Sequence, residues 1–185
     1  LLTWYFWQVL KLVRFLVLLF LVSSVFIVVL YKVIDPPFSS LMLIRRIDAI
    51  IANEPLRIQN KWVPLKDISE NVVKAVLAAE DQRFYSHRGI DYEAIWKARK
   101  YNKKHDRQLG ASTITQQTAK NLFLWPSRSY FRKGLELYFA ALIDLLWSKE
   151  RVLEVYLNIV ETGNGMFGVE VAAENYFSKH ATSLS

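Results

Sequence analysis

The sequence contains no cysteine and three histidines, and each scarcity excludes a class of protein. Without cysteine there can be no disulfide framework, which suits an extracytoplasmic domain that is stable without one. The histidines at positions 87, 105 and 180 are scattered and form no ligand motif, so their spacing predicts no metal site. Segments with clear apolar–polar alternation are few and there is no internal repeat, so we predict a mainly α domain.

Charge is absent from residues 15–31, and Arg14 and Lys32 bound this apolar run. As a helix the run spans about 26 Å, and snorkelling of the flanking cations can extend it to the ~30 Å of a hydrocarbon core. No A-x-A site follows, which argues against a cleaved signal peptide. We predict a membrane anchor over 1–34 (span about 12–32), a linker and juxtamembrane helix over 35–66, and a catalytic domain over 67–185 that we expect to be truncated at its C-terminus.

Positive charge is concentrated between Lys97 and Lys133, although the whole chain has a net charge of only +7. This segment holds ten Lys or Arg and one acid, Asp106, which gives it a local net charge of +9. A field of this strength indicates a polyanionic partner: nucleic acid, anionic lipid headgroups or a pyrophosphate. A merely solvated loop from Lys97 to Arg107 is the alternative explanation for about half of these charges.

A carboxylate, Glu80, continues the apolar face of a predicted helix. The helix follows Asp67-Ile68-Ser69-Glu70, which has the spacing of a capping box, and places Val73 and Leu77 on the same face. We therefore expect the carboxylate to be partly withdrawn from water, an environment that suits a general base. A structural ion pair with Arg83 is the alternative.

A second helix start follows Gly110, where Thr113 and Gln116 again have capping-box spacing. Gln117 and Lys120 lie within the next turn, so their polar ends cluster near those of Gln116. Free N–H groups at such a helix start bind anions readily. A base beside an anion-binding site is therefore expected, although a helix start of this kind is weak support by itself.

Three further helices are predicted after serines that can serve as N-caps: Ser39 or Ser40, Ser127 or Ser129, and Ser148. In the second of these, an intrahelical salt bridge is the default explanation of the trio Arg132, Lys133 and Glu136. The aromatic and apolar segment 122–131 indicates either contact with a bilayer surface or ordinary core packing.

Five short blocks along the chain contain most of the polar residues named above. They are Glu80-Asp81-x-x-Phe84-x-x-His87-x-Gly89, Gly110-x-Ser112-Thr113-Ile114-Thr115-Gln116-Gln117, Arg132-Lys133-x-x-Glu136, Leu153-Glu154-x-Tyr156-Leu157-Asn158, and Gly165-x-x-Gly168-Val169-Glu170-x-Ala172-Ala173-x-x-Tyr176-Phe177. In this order they resemble the motifs of the peptidoglycan glycosyltransferases, also called biosynthetic transglycosylases. The first two blocks are highly specific as a pair.

The resemblance implies a lysozyme-like, mainly α glycosyltransferase domain behind a single N-terminal transmembrane helix. It implies a place in the bacterial cytoplasmic (inner) membrane, with the catalytic domain on the periplasmic side. The implied reaction polymerises lipid II into β-1,4 glycan strands and releases undecaprenyl pyrophosphate, in cell-wall synthesis. Implied partners are lipid II, the nascent glycan strand, the bilayer and other cell-wall synthesis and division proteins, but no nucleic acid. No cofactor is required, and an assisting divalent cation, Mg²⁺ or Mn²⁺, is compatible with the family.

The resemblance also assigns roles by position. It makes Glu80 the base that takes the proton from the attacking hydroxyl, and Glu136 a second required acid that shapes the donor site. The positions that match the donor site, where the pyrophosphate and nearby sugar are held, are Ser112, Gln117, Lys120, Arg128, Arg132 and Lys133. The supporting positions are Asp81, Phe84, His87, Gln116 and Asn158.

Two other functions stay open. A glycan-cleaving, lysozyme-like hydrolase or lytic transglycosylase would use two carboxylates that flank the bond, and a non-enzymatic module that binds anionic lipid would leave Glu80 unexplained. The chain has no Ser-x-x-Lys, so we expect no penicillin-binding transpeptidase site in these residues. The segment 35–40 is similar to that of monofunctional members of the family, which we favour over a bifunctional enzyme truncated at its C-terminus.

Overall fold

The computed structural model of the chain describes residues 2–55, 57–105 and 109–185. The chain divides into two compact units, Leu1–Asp35 and Pro36–Ser185. The first unit contains one long helix, α1 (Leu2–Val33). Its segment Trp4–Val33 contains an 18-residue window with a mean hydropathy of 2.8 and is long enough to cross a membrane. Length and composition therefore fit a single-pass anchor.

The second unit consists mainly of helices, joined by short connections. In chain order these are α2 (Ser40–Ile51), α3 (Glu70–Glu80), α4 (Tyr92–Asn102), α5 (Ile114–Phe123), α6 (Tyr130–Leu146), α7 (Lys149–Ile159) and α8 (Val169–Phe177). Short 3-10 turns lie at Leu65–Asp67 and Ala181–Ser183. The predicted mainly α class is therefore confirmed.

Three short strands form a small sheet in the order β1-β3-β2: β1 (Gln59–Asn60), β2 (Glu161–Gly163) and β3 (Met166–Phe167). β1 pairs parallel to β3, and β2 pairs antiparallel to it across an irregularity in register. Gly168 follows β3 with φ of +86°, and a Cβ there would lie 2.8 Å from the carbonyl oxygen of Asn158. This turn into α8 therefore requires glycine.

Hydroxyl side chains cap the helices at the predicted places. The side chain of Thr113 accepts from the N–H of Gln116 while the Gln116 side chain accepts from the N–H of Thr113, so the predicted capping box begins α5. Each such cap satisfies a backbone donor that the helix cannot satisfy itself. The serine caps of α2, α6 and α7 are Ser39, Ser129 and Ser148.

The start and the burial of α3 differ from the expectation. Ser69 caps this helix and accepts from the N–H of Asn71, whereas Asp67 belongs to the preceding 3-10 turn, so the predicted box Asp67–Glu70 is wrong. None of the residues of α3 is buried, and Glu80 at its C-terminal end is exposed. The expectation of a carboxylate partly withdrawn from water is therefore also wrong.

The central helix of the second unit is α5, which packs against α2, α6 and α7. Phe123 at its end stacks on Phe139 of α6 with 4.6 Å between ring centroids. Burial on nearly every side holds α5 rigidly, and so fixes any site residue that it carries. Its buried residues are Ile114, Thr115, Gln116, Thr118, Ala119, Asn121 and Leu122.

Much of the predicted basic loop is helical. Lys97 and Lys100 lie on α4, where Lys97 pairs with Glu93 at 2.6 Å and the Lys100 ammonium lies 5.2 Å from the ring centre of Trp96. A loop from position 97 is therefore wrong, because the helix continues to Asn102. Positions 106–108, which include the predicted Asp106 and Arg107, lie outside the described residues.

Candidate active site

Two of the cavities on the second unit are lined by residues predicted for the site. The cationic cavity, of about 570 Å³, is lined by Arg45, Lys120, Arg128 and Arg132. Its other lining residues are Leu41, Gln117, Asn121, Leu124, Trp125, Pro126, Ser127, Val160 and Glu161. The carboxylate cavity, of about 310 Å³, is lined by residues 78–83 with Asp91, Ala94, Lys97 and 110–113. Ends of α3 and α5 therefore contribute to the two cavities.

Gln117 connects the two cavities. Its amide Nε2 donates to Oε2 of Glu80 at 2.8 Å, while its residue lines the cationic cavity. Glu80 itself lines the carboxylate cavity, and Lys120 lines the cationic one. The predicted base thus lines one cavity, and four of the six predicted donor-site residues line the other: Gln117, Lys120, Arg128 and Arg132. Ser112 lines the cavity of Glu80, and Lys133 lines neither.

Asp81 anchors the segment behind Glu80. Its buried carboxylate accepts from Nε2 of His87 at 2.9 Å and from the backbone N–H of Ile114 at 3.0 Å. Phe84 is 1% exposed and packs edge-on against His87, and Lys149 donates to the His87 carbonyl at 2.8 Å. The predicted supporting positions 81, 84 and 87 therefore form one buried cluster beneath the end of α3.

Gly89 brings the turn after this cluster against two helices. Its φ is +65°, and a Cβ would lie 3.0 Å from Cβ of Asp144 on α6, so a larger residue would strain the turn. The hydroxyl of Thr113 donates to the Gly89 carbonyl at 2.5 Å. The first two sequence blocks are thus joined directly, which places Glu80 beside the start of α5.

Lys120 and Arg128 have no acidic partner among the residues that the structure describes. Lys120 is half-buried on the last turn of α5, and Arg128 is exposed in the connection to α6. Both line the cationic cavity. Two cations without an internal counter-charge, in one cavity, favour a dianionic ligand.

Glu136 has the environment of a structural ion pair. It is 2% exposed, Arg132 donates to its Oε2 at 2.6 Å, and Lys133 bonds its Oε1. Lys133 also donates to the hydroxyl of Ser112 at 3.2 Å, which ties α6 to the segment before α5. Neither Glu136 nor Lys133 lines either cavity. Arg132 does, and its Nε donates to the carbonyl of Ser127 at 2.6 Å.

The other carboxylates that line the two cavities are already engaged. Asp91 caps α4 and lies 3.5 Å from Nε of Arg83, whose guanidinium also pairs with Glu93. The alternative of a Glu80–Arg83 pair is therefore wrong. Glu161 receives two hydrogen bonds from Nε of Arg45 and one from Nη2. Among the described carboxylates that line the two cavities, Glu80 is distinguished by having a neutral side-chain amide, that of Gln117, as its partner.

Two features of the site lie outside the predicted residues. Tyr156, buried on α7, donates from its hydroxyl to Oε1 of Gln117 at 3.3 Å. Burial raises the pKa of the Tyr156 phenol, and the charge of Glu80 adds to this shift. The second feature is the Arg45–Glu161 pair, which joins α2 to β2 across 116 positions. Tyr156 lies in the fourth block, but nothing in the sequence pairs it with Gln117.

Two of the predicted supporting residues serve the fold. Gln116 is 1% exposed and its side chain caps α5. Asn158 is fully buried. Its side-chain amide accepts from the N–H of Val63 and donates to the Val63 carbonyl, both at 2.8 Å. It also donates to the carbonyl of Glu154. Asn158 lines neither cavity, so it clamps the segment before α3 to α7.

The cationic cavity does not fit a divalent cation held by the protein. Such ions require several oxygen ligands, and the lining carboxylate, Glu161, is occupied by Arg45. Elsewhere in the described chain, Glu170, Glu174 and His180 lie close enough to share an ion. Lys61 already pairs with both carboxylates of that group, at 3.4 Å from Glu170 and 2.5 Å from Glu174.

The segment 122–131 has both buried and exposed apolar side chains. Leu122 and Leu124 are buried and pack in the core. Trp125, Tyr130 and Phe131 are 40%, 99% and 70% exposed, and Trp125 lines the cationic cavity. An exposed apolar rim therefore lies next to the cations.

The family of the chain follows from comparison with known proteins. A family model described as Transglycosylase matches residues 48–185. The chain belongs to this family, which is lysozyme-like, so the predicted fold class and family are confirmed.

Individual relatives are similar over most of the chain. A biosynthetic peptidoglycan transglycosylase of Bdellovibrio bacteriovorus is 53% identical over 180 residues, which cover 97% of this chain and 72% of the relative. A protein of the same name from Pseudomonas fluorescens is 48% identical over 166 residues, which cover 90% of this chain and 69% of the relative. One from Pseudomonas putida is 49% identical over 166 residues, which cover 90% of this chain and 70% of the relative.

Proposed function

We propose that the chain is an inverting peptidoglycan glycosyltransferase that polymerises lipid II into β-1,4 glycan strands in cell-wall synthesis. The observation that carries the proposal is the Gln117–Glu80 hydrogen bond, which joins an exposed carboxylate to a cavity lined by cations. Membership of the transglycosylase family and the names of the relatives support it.

The cationic cavity would hold the pyrophosphate of the donor, the growing glycan strand. Lys120 and Arg128 bring positive charge that no described acid neutralises, and Arg132 is held in place by Glu136. A departing pyrophosphate gathers negative charge, and fixed cations stabilise that charge without reorganisation. Ser112 and Lys133, bonded to each other at 3.2 Å, would hold the adjoining sugar.

Glu80 would act as the base for the incoming lipid II. The 4-hydroxyl oxygen of its disaccharide attacks the anomeric carbon of the donor, and its proton passes to the Glu80 carboxylate. The bond between the anomeric carbon and the pyrophosphate oxygen breaks, and its electron pair leaves with undecaprenyl pyrophosphate. Attack opposite the leaving group inverts the anomeric centre. Because pyrophosphate leaves as a stabilised anion, one base is sufficient.

Hydrolysis of finished glycan fits the site less well. A glycosidase uses two carboxylates on either side of the bond, one of them as an acid. In the described part of the chain, the lining carboxylates other than Glu80 are bonded to cations or backbone groups. Glu136 is buried between Arg132 and Lys133 and lines neither cavity.

The apolar features fit a substrate that stays in the bilayer. Helix α1 would anchor the chain in the bacterial inner membrane with the catalytic domain on the periplasmic side. Trp125, Tyr130 and Phe131 would contact the lipid surface next to the cationic cavity. Other cell-wall synthesis and division proteins are proposed partners, and nucleic acid is not. No cofactor is needed, and Mg²⁺ or Mn²⁺ would act by binding the pyrophosphate itself.

The test uses the purified full chain in detergent. Lipid II and finished peptidoglycan are incubated with it separately, and the products are separated by size. Growth of glycan strands from lipid II, without soluble fragments from peptidoglycan, supports the proposal. Release of soluble fragments would make the chain a hydrolase or lytic enzyme. Binding to anionic vesicles without either reaction would make it a binding module.

A further inference from the structure

Three side chains from three helices form one hydrogen-bond chain at the candidate active site. The Tyr156 hydroxyl on α7 donates to Oε1 of Gln117 on α5 at 3.3 Å. Nε2 of Gln117 then donates to Oε2 of Glu80 at the end of α3 at 2.8 Å. Burial decreases along this chain, from Tyr156 at 3% exposure, through half-buried Gln117, to exposed Glu80.

The donors and acceptors allow a single direction along this chain. A carboxylate accepts hydrogen bonds, so the amide of Gln117 must present Nε2 to Glu80. The other end of the amide, Oε1, also accepts only, so the Tyr156 hydroxyl must be the donor. The Glu80 carboxylate therefore selects the amide orientation in which an N–H faces it. A phenol can donate or accept, so the Tyr156 hydroxyl donates to Oε1 and anchors the other end of the amide.

Tyr156 is suited to this task because it is the fixed end of the chain. Its ring is buried on α7, which packs against α5. Burial, followed by the charge of Glu80, raises the pKa of the phenol and so favours its protonated, hydrogen-donating form. Glu80 has no comparable restraint, since it lies on a helix without buried residues.

We propose that Tyr156 is a positioning residue for the reaction: through Gln117 it holds one oxygen of Glu80 and leaves the other directed to the acceptor hydroxyl. This inference rests on the proposed role of Glu80 as the base. Tyr156 does not touch substrate in this arrangement, so its contribution appears in the rate of the chemical step and not in substrate binding.

The test replaces Tyr156 with phenylalanine, which removes the hydroxyl and keeps the buried ring. Loss of one neutral hydrogen bond predicts a kcat about three- to tenfold lower, with KM for lipid II and the unfolding midpoint within about twofold and a few degrees of the wild type. Tyr176→Phe is the matched control, because its hydroxyl donates to the carbonyl of Thr162 at 3.1 Å and lines neither cavity. We expect that control to retain the wild-type kcat.

A double-mutant cycle separates positioning from a general packing effect. If Tyr156 acts through Gln117, then Tyr156→Phe lowers kcat in the wild-type background and has no further effect in Gln117→Ala. Effects that multiply in the double variant would overturn the inference, as would a Tyr156→Phe enzyme with the wild-type kcat. Failure of the wild-type chain to polymerise lipid II would instead overturn the proposed function, so the two failures are distinguishable.

Discussion

The carboxylate of Asp81 accepts a hydrogen bond from the backbone N–H of Ile114 at 3.0 Å, across 33 positions of sequence. This bond joins the end of α3 to the start of α5. The residue before Asp81 is the proposed base, and the turn that follows Ile114 carries Gln117, to which that base is bonded. The position of Glu80 therefore depends on a buried acid that does not take part in the reaction.

Removing that acid should destabilise the protein. In Asp81→Ala, the N–H of Ile114 and Nε2 of His87 lose their partner in a buried setting, so we expect unfolding to become easier by about 2–4 kcal/mol. Urea unfolding of the purified chain measures this change. Glu54→Ala removes an exposed acid and should change the free energy of unfolding by less than about 0.5 kcal/mol. An Asp81→Ala protein as stable as that control would contradict the assignment.

Lys120→Ala should weaken use of the donor. Lys120 lines the cationic cavity without an acidic partner among the described residues, so its loss removes one charge-assisted contact with the pyrophosphate. We expect kcat/KM for lipid II to fall about tenfold or more while the unfolding midpoint is unchanged. Lys179→Ala removes an exposed lysine outside both cavities and is the charge-matched control. Equal rates in the two variants would argue against the pyrophosphate site.

Substitution of Glu136 should lower the stability of the protein, whereas substitution of Glu80 should not. Glu136→Gln leaves Arg132 and Lys133 without their shared counter-charge in a buried site, so we expect a loss of stability of about 3 kcal/mol or more. Glu80→Gln alters an exposed residue and should leave the unfolding midpoint unchanged. Thermal unfolding of both variants measures the difference. A Glu136→Gln protein with the wild-type midpoint would show that the buried ion pairs do not shape the donor site.

The raised pKa of Tyr156 predicts a pH dependence at the alkaline end. An unperturbed tyrosine titrates near pH ~10, and burial favours the neutral phenol in the folded state. Its contribution to stability is therefore complete below pH ~10 and is lost as the pH rises towards the folded pKa. We expect the wild type to lose stability relative to Tyr156→Phe when the pH rises from about 9 to 11. Parallel urea titrations at these pH values measure the difference, and a constant difference would contradict the assignment.

The same shift makes a prediction for the neutral range. Between about pH 6 and 9 the phenol stays protonated, so the ratio of the Tyr156→Phe and wild-type rates should be constant. A ratio that changes across this range would show that Tyr156 exchanges a proton during the reaction, and not that it orients an amide.

Local signals in the sequence were sufficient for most of the helices and for the capping box of α5, but not for α4, where a loop was predicted from Lys97. Capping is decided by residues three positions apart, so the spacing of Thr113 and Gln116 is enough to pair them. Periodicity misled at α3, because apolar spacing describes a face and cannot show what covers it. Val73 and Leu77 are half-buried, and Glu80 beyond them is exposed.

Contacts between residues that are far apart in the sequence could not be predicted from local patterns. The bonds from Tyr156 to Gln117 and from Arg45 to Glu161 join residues 39 and 116 positions apart, and each depends on how helices pack. The candidate site residues could be named because five blocks resemble a known family, which identifies positions without giving their geometry. The separation of Glu80 and Lys120 into neighbouring cavities joined by Gln117 is a property of the folded chain that no short motif encodes.

The most direct measurement of the central claim is the rate of lipid II polymerisation by Glu80→Gln. Glutamine keeps the size of the side chain and can still bond to Gln117, but it cannot accept the proton of the attacking hydroxyl. We predict a rate at least ~100-fold lower, with lipid II binding and the unfolding midpoint as in the wild type. A Glu80→Gln enzyme that polymerises lipid II at the wild-type rate would contradict it.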